Sequence, residues 1–392
     1  MPSETIKLTA KFKLKEPPEG LDELFSTYRE IVNFLITHAY ESNITSFKRL
    51  KKEKYKELRK EYPELPSHYH YTACQMATAV YKSYRKRKKR GKANGKPVFK
   101  REVVMLDDHL FKLNLEKGVV KVSTPNGRIA LEFYPAKYHE KFKGWKVGQA
   151  WLVRTPKGAF INVIFSKEVE VREPEAFVGI DLNENNVTLS LPNGEFVQII
   201  THEREIRSGY FVKRRKIQKK LKTGKRRKEL LEKYGERERN RLTNLYHKLA
   251  NKIVELAEKY GGIALEDLTE IRDSIRYSVE MNGRLHRWSF RKLQSIIEYK
   301  AKLKGIKVVF VNPAFTSSLC PVCGVKLSSN GHRVLKCKCG FEADRDVVGS
   351  WNVRLRALKM WGVSVPPESP TMKMGGWKVI RYDSFACFKS SG

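Results

Sequence analysis

Phe177-Val-Gly-Ile-Asp181-Leu182 is the stretch on which the fold of this chain turns. It is an apolar run broken by a single acid and closed by the polar turn Asn183 to Asn186, the pattern of a strand buried on both faces. Working outward, Val187-Thr-Leu-Ser-Leu191 is the next strand, Pro192-Asn-Gly194 a turn, and Glu195 to Ile200 a third strand. A long basic helical stretch follows from Glu205 to Tyr260, interrupted near Thr223-Gly224 and stopped by Gly261-Gly262. Ile263-Ala-Leu-Glu266 reads as a short buried strand, Ser289 to Lys304 as a helix and Ile306 to Asn312 as a strand. After a cysteine-rich insertion, a last helix spans Arg345 to Trp361.

Three strands, a helix, a strand, a helix, a strand, an insertion and a helix is the order of an RNase H-like α/β domain. In that order three acids fall where chemistry needs them. Asp181 ends the first strand, with Gly179 leaving room beside the backbone; Glu266 ends the fourth strand; Asp346 opens the final helix. Carboxylates brought that close repel one another and take up protons. A pair of Mg²⁺ ions on Asp181, Glu266 and Asp346 removes the conflict. Such a pair activates water and stabilises the leaving oxygen in phosphodiester cleavage, and all-oxygen ligands favour Mg²⁺ over softer metals. Each acid taken singly has a plainer reading. Asp181 can be a turn residue, Asp344 or Asp346 a helix cap, and Asp267 can stand in for Glu266.

Cys320-Pro-Val-Cys323-Gly and Cys337-Lys-Cys339-Gly lie in one short loop-rich segment. Four thiolates make a closed tetrahedral Zn²⁺ site, which gives a small insertion folding energy that it cannot obtain from apolar burial. The second pair is one residue tighter than the commoner spacing, and His332 is an alternative ligand. The plain reading is four free thiols.

Toward the N-terminus, Ile6-Lys-Leu-Thr-Ala-Lys-Phe-Lys-Leu14 alternates as a strand. A helix begins after Pro17-Pro18-Glu19-Gly20, with Leu21, Leu24, Tyr28, Val32 and Leu35 on one face. A second runs from Tyr69 to Arg90 and dissolves into a basic run. From Val98 to Glu170 short strands alternate with glycine turns, which predicts a β-barrel with helices inserted after its first strand. The chain carries 78 Lys and Arg against 43 Asp and Glu, a formal net charge of +35, which points to a polyanionic partner. The start lacks the apolar run of a signal peptide, and no apolar stretch is long enough to cross a membrane. Six Cys, four of them crowded together, suit a metal site in a reducing compartment better than a disulfide scaffold. The predicted location is the cytoplasm of a prokaryotic cell, at the nucleoid. Candidate nucleic-acid contacts are Arg85, Lys86, Arg87, Lys88, Lys89 and Arg90 on the second helix and Arg214 and Arg215 on the long one. Thr72 and Gln75 are candidates for reading bases, and Tyr69, Tyr71, Tyr81 and Tyr84 divide between stacking and core.

Val178-Gly-Ile-Asp-Leu182, Ala264-Leu-Glu-Asp-Leu268, Tyr299-Lys-Ala301, Thr316-Ser317, Cys320-Pro-Val-Cys-Gly324 and Asp344-Arg-Asp-Val347 with Asn352 together resemble the TnpB proteins of insertion sequences, and more distantly the compact Cas12 nucleases. The resemblance is specific over residues 177–356 and architectural before that. It implies an α+β multidomain chain: a wedge-like β-barrel at 1–15 and 97–172 and a helical recognition insertion at 16–96. A RuvC-type nuclease follows at 177–315 and 341–361, with a zinc ribbon at 316–340 and a flexible tail at 362–392. It implies that Asp181, Glu266 and Asp346 are the catalytic metal ligands of an RNA-guided DNA endonuclease. Such an enzyme binds a guide RNA and cuts matching double-stranded DNA beside a short flanking motif. A nuclease-inactive RNA-guided repressor and a DNA transposase are the alternatives. Two positions depart from the family pattern: the shortened second cysteine pair, and position 348, where the usual Asn is Val348.

Overall fold

The computed structural model describes residues 3–15, 21–269, 278–329, 333–362 and 378–384. The chain divides into two units, Thr5–Glu168 and one built from Val169 onward.

The first unit opens with strand β1 (Ser3–Lys13), continues through helices α1 (Leu21–Glu41), α2 (Phe47–Glu61) and α3 (Ser67–Lys89), and then becomes all strand. β2 (Val103–Leu106), β6 (Lys146–Thr155) and β7 (Gly158–Glu170) join β1 in a sheet of order β1-β7-β6-β2. β3 (Phe111–Asn114), β4 (Val119–Thr124) and β5 (Gly127–Glu132) form a second sheet, tied to the end of β1 by the bridge between Leu14 and Phe133. The apolar stripe of α1 is buried as its spacing predicts, and helices and strands share one core that includes Phe12, Tyr28, Tyr69, Leu152 and Phe165. The inserted helices are therefore not a body of their own. Helix α2 has no counterpart in the sequence reading, because only Leu50 and Leu58 of its Lys-rich length are buried.

The second unit carries a mixed sheet of order β12-β11-β8-β9-β10-β16. β8 (Ala176–Leu182), β9 (Asn186–Ser190) and β10 (Phe196–Ile200) run antiparallel, while β11 (Gly261–Glu266) lies parallel to β8 and to β12 (Lys307–Val311). One face of β8 sends Val178, Ile180 and Leu182 into a core with α5 (Lys225–Ala257) and α7 (Phe290–Leu303). The hairpin of α4 (Glu203–Lys220) on α5 is locked by buried charge. Glu203 accepts from Arg207 at 2.6 Å and from the Tyr246 hydroxyl at 2.6 Å. A shorter helix α6 (Val279–Arg287) precedes α7. The opposite face, with Phe177, Gly179 and Asp181, receives the last helix α8 (Arg345–Met360). Gly179 has a specific reason here: a Cβ would sit 2.2 Å from the Ser350 carbonyl oxygen. Strands β13 (Ser328–Ser329), β14 (Val334–Lys336) and β15 (Glu342–Asp344) make a small sheet that leads into α8.

The flexible tail expected from residue 362 needs correction at one place. Val379–Asp383 form β16, which pairs in parallel with β10 and closes that edge of the sheet. The remainder, 363–377 and 385–392, lies outside the described residues. No helix among the described residues is long and apolar enough to cross a membrane.

Candidate active site and metal centre

Register brings the first two acids together. Leu265 pairs with Ile180, so the next residue on each strand places Glu266 beside Asp181. Asp346 arrives from the first turn of α8, whose close approach to β8 sets Gly349 against Asp181; a Cβ on Gly349 would lie 3.1 Å from that carboxyl group. Amides then link the acids. Asn183 donates to Asp181 at 2.8 Å and to the Asn186 side-chain oxygen at 3.3 Å, and Asn186 donates to Asp346 at 2.9 Å. On the other side the Thr316 hydroxyl donates to Glu266 at 2.5 Å, and Asn352 holds that loop by donating to the carbonyls of Thr316 and Leu319, both at 2.8 Å.

The electrostatics follow from this crowding. Burial, then the charges of Glu266 and Asp346, hold the Asp181 carboxyl well above the usual carboxylate range. Burial also raises Glu266, against the lowering effect of the Thr316 hydroxyl. Asp181 has no cationic side chain paired to it among the described residues. Asp346 does: the Arg333 guanidinium binds it and also reaches Asp344. A buried carboxyl in no ion pair among the described residues, pressed by two further acids and only partly relieved by the Arg345 charge and the Asn183 amide, suits divalent cations.

The two neighbouring acids have partners of their own. Asp344 is the cap of α8, its carboxylate accepting from the Asp346 backbone N–H at 2.8 Å. Asp267 is exposed and accepts from the Thr269 N–H at 3.0 Å, stabilising the turn after β11. Val348, at the position where the family pattern has Asn, is fully buried in the cluster that includes Trp351 and Phe341, while Asn183 and Asn186 are the amides hydrogen-bonded to Asp181 and Asp346. Asn183 and Asn186 were missed as site residues because a polar cluster between strands reads as a turn.

The four cysteines gather more tightly than the carboxylates. The Sγ atoms of Cys320, Cys323, Cys337 and Cys339 all lie within 4.8 Å of one another, and no other set of metal-ligating side chains among the described residues is as compact. Cys320 and Cys339 are 3.8 Å apart and Cys323 and Cys337 3.4 Å. A regular tetrahedron with Zn–S near 2.3 Å has edges of about 3.8 Å, so these separations are compatible with four thiolates around one metal ion, the shortened pair included. The Cys337 N–H donates to the Phe341 carbonyl at 2.8 Å, tightening the turn that presents both thiols. His332 lies outside the described residues. The cluster sits over Trp351, whose ring is 5.8 Å from Phe341 and 5.7 Å from Phe196, so the cysteine segment, α8 and the sheet share one packing unit.

The nucleic-acid candidates divide. Arg85 to Arg90 are all exposed. Thr72 needs correction as a base reader. It is fully buried, bonded to Tyr28 at 3.3 Å and to the Tyr69 carbonyl at 3.2 Å, because its face of α3 is the core face. Gln75 is half-buried and accepts from Gln149 at 3.2 Å. Tyr69, Tyr81 and Tyr84 are core; Tyr71 is half-buried. Arg214 is committed to Glu238, whereas Arg215 is exposed.

With this geometry in view, the relatives can be placed. TnpB-like protein MJ0751 of Methanocaldococcus jannaschii is 37% identical over 277 residues, covering 67% of this chain and 99% of that protein. The chain belongs to the TnpB family. A family model described as "Probable transposase" matches residues 160–271, one described as "Cas12f1-like, TNB domain" matches 290–353, and that of the "Uncharacterized protein MJ0013 family" matches 24–123. The TnpB relationship extends to the compact Cas12 proteins. CRISPR-associated endodeoxyribonuclease Cas12f1 of Sulfoacidibacillus thermotolerans is 38% identical over 115 residues, 28% of this chain and 26% of that protein. In fold, the solved structure of the mini-RNA-guided endonuclease CRISPR-Cas_phi3 aligns with a TM-score of 0.56 at 11% identity, over 93% of this chain and 94% of that one.

Proposed function

We propose that this TnpB-family chain is an RNA-guided DNA endonuclease whose RuvC-type, RNase H-like domain spans 177–315 and 341–361, with the zinc ribbon at 316–340 inserted. The observation that carries the reading is the continuous hydrogen-bonded run from Asp181 through Asn183 and Asn186 to Asp346, with Glu266, one residue past the Leu265–Ile180 pair, close enough to raise Asp181 by its charge. Asp181, Glu266 and Asp346 would hold two Mg²⁺ ions, which when bound supply an activated water and charge stabilisation for phosphodiester hydrolysis. The chain's own residues do the positioning. Asn183 and Asn186 fix the oxygens of Asp181 and Asp346, Thr316 orients Glu266, and Gln294 secures the Glu266 backbone by donating to its carbonyl at 2.8 Å. Asp346 has to exchange or share Arg333 when cations enter, which makes that exposed guanidinium a local competitor for the site. Cys320, Cys323, Cys337 and Cys339 would hold one structural Zn²⁺; four protein ligands leave no open position for chemistry.

The partners follow from charge and relationship: a guide RNA, and double-stranded DNA matched to it by base pairing. The exposed run Arg85 to Arg90, with Arg215, would neutralise phosphates. A protein whose printed name is putative RNA-guided DNA endonuclease, from Streptomyces pristinaespiralis, is 30% identical over 213 residues, 51% of this chain and 50% of that protein, and supports the same assignment. The second reading, a DNA transposase, is favoured only by the description of the family model over 160–271. The test is to purify the chain from cells, sequence the RNA that accompanies it and supply a duplex matching that RNA. A discrete RNA species and Mg²⁺-dependent cutting of the matched duplex are expected. Cutting of the element's own ends without RNA would favour the transposase.

A further inference from the structure

The first unit contains a groove that the guided-nuclease reading does not use. It has a volume of about 780 Å³ and is floored by the outer faces of β6 and β7, with α1 and the stretch before β2 as its walls. The floor centres on Trp151, which lies cross-strand from Asn162 on one side and Met105 on the other. Trp151 and Asn162 are half-buried and alternate along their strands with the core residues Ala150, Leu152, Ile161 and Val163; the indole packs in part against that core, beside buried Met105, and in part lines the groove. No ring stacks on the indole among the described residues, and the Asn162 amide has no hydrogen-bond partner among them.

The walls are cationic and firmly built. Arg29 projects from α1, and one turn later Asn33 clamps the stretch ahead of β2. Its amide donates to the Phe99 carbonyl at 3.0 Å and its oxygen accepts from the Phe99 N–H at 2.8 Å. That clamp sets Lys100 and Arg101 across the groove from Arg29. At the far end Arg154 is already neutralised, forked onto Glu102 at 2.8 and 2.9 Å. Arg29, Lys100 and Arg101 have no ion pair among the described residues. Three unpaired cations therefore surround an aromatic face with a free amide beside it.

Aromatic faces with adjacent cations are how unpaired bases and their flanking phosphates are held. We infer that this groove holds an unpaired RNA nucleotide, its base stacked on Trp151, its edge met by Asn162 and its flanking phosphates on Arg29, Lys100 and Arg101. RNA is the occupant of choice because its loops and ends present bases already out of the stack, whereas duplex DNA would first have to extrude one. The inference rests on the guide-RNA reading for its partner, but adds a site to it.

The experiment uses the full chain and measures affinity for three probes: the copurifying RNA, a twelve-nucleotide uridine RNA and the thymidine DNA of the same length. Trp151→Ala is expected to weaken binding of both RNAs by about 5- to 150-fold, the range for loss of one stacked base, and Trp151→Tyr to restore most of it. Arg29→Gln, Lys100→Gln and Arg101→Gln, three variants at the groove walls, should each flatten the slope of log affinity against log salt by about 0.7. A fold defect alone would not produce that change. Unchanged RNA binding in Trp151→Ala with unchanged salt slopes overturns the inference. So does an equal or larger Trp151 effect on the DNA oligonucleotide. Failure of the parent chain to bind any RNA would instead sink the guide-RNA reading itself, before the groove is at issue.

Discussion

Gly179→Ala is the sharpest structural perturbation of the carboxylate centre, because it touches no acid. The added Cβ would lie 2.2 Å from the Ser350 carbonyl oxygen and 2.6 Å from both the backbone nitrogen and the Cβ of Arg354. The first is more than 1 Å and the others about 0.8 Å inside ordinary contact, and two of the three obstacles are backbone atoms of α8, so no side chain can swing aside. The helix has to back away from β8 and takes Asp346 with it. Overpacking of this kind costs about 1–3 kcal/mol, which lowers the melting temperature of a unit this size by roughly 2–12 °C. Displacing a reacting group by about 1 Å costs about 10²-fold in rate. Differential scanning fluorimetry and cutting of a matched duplex read the two effects. Gly349→Ala is the companion: its Cβ would stand 3.1 Å from the Asp181 carboxyl, inside a helix that gains about 1 kcal/mol from Ala over Gly. It is expected to melt within a few degrees of the parent, about 2–4 °C, yet to cut more slowly. A Gly179→Ala protein that melts and cuts like the parent would refute the idea that α8 packing sets the acid geometry.

Three further outcomes are expected. Elemental analysis should find one zinc per chain, and Cys323→Ser or Cys337→Ser should lose it and make the segment around Phe341 sensitive to protease, since the thiols close a single cluster. His70 is fully buried, and burial, then Arg59, push its imidazole down to about 4. The folded state thus favours neutral His70 while the unfolded chain takes up a proton near pH 6.5. The stabilisation is complete above that pH and is lost as pH falls toward 4, by at most about 1.4 kcal/mol per pH unit. His70→Leu should flatten the melting temperature between pH 6.5 and 4.5. Ending the chain at residue 377 removes β16 and the 2.9 Å hydrogen bond between His202 and Asp383, exposes the edge of β10 and should destabilise the second unit by roughly 1–3 kcal/mol in a denaturant titration.

The parts of this architecture that were legible in the sequence are those with strong periodicity and clear punctuation. Asp181 and Glu266 could be placed at strand ends because each closes an apolar run, and α4 and α5 could be separated at Gly224. The weaker signals were lost for physical reasons. β6 carries Gly148 and Gln149 at its register shift, between Val147 and Ala150, so its alternation is broken. β16 is five residues within a Gly- and Ser-rich context, and it becomes a strand only because the edge of β10 offers it a partner. Thr72 looked available on a basic helix, but the helix turns that face inward onto Tyr28. Asn183 and Asn186 are indistinguishable from turn residues until the strands on either side bring two acids to them.

Magnesium-dependent cutting by the RNA-loaded chain, compared across Asp181→Ala, Glu266→Ala, Asp346→Ala and the variant lacking all three, bears most directly on the central claim. Groups that act as one unit lose activity together. Each single variant should therefore bind the matched duplex as the parent does and fall in rate nearly as far as the triple variant. A single variant that keeps the parental cutting rate would show that its carboxylate stands outside the reaction and that the three do not act as one centre.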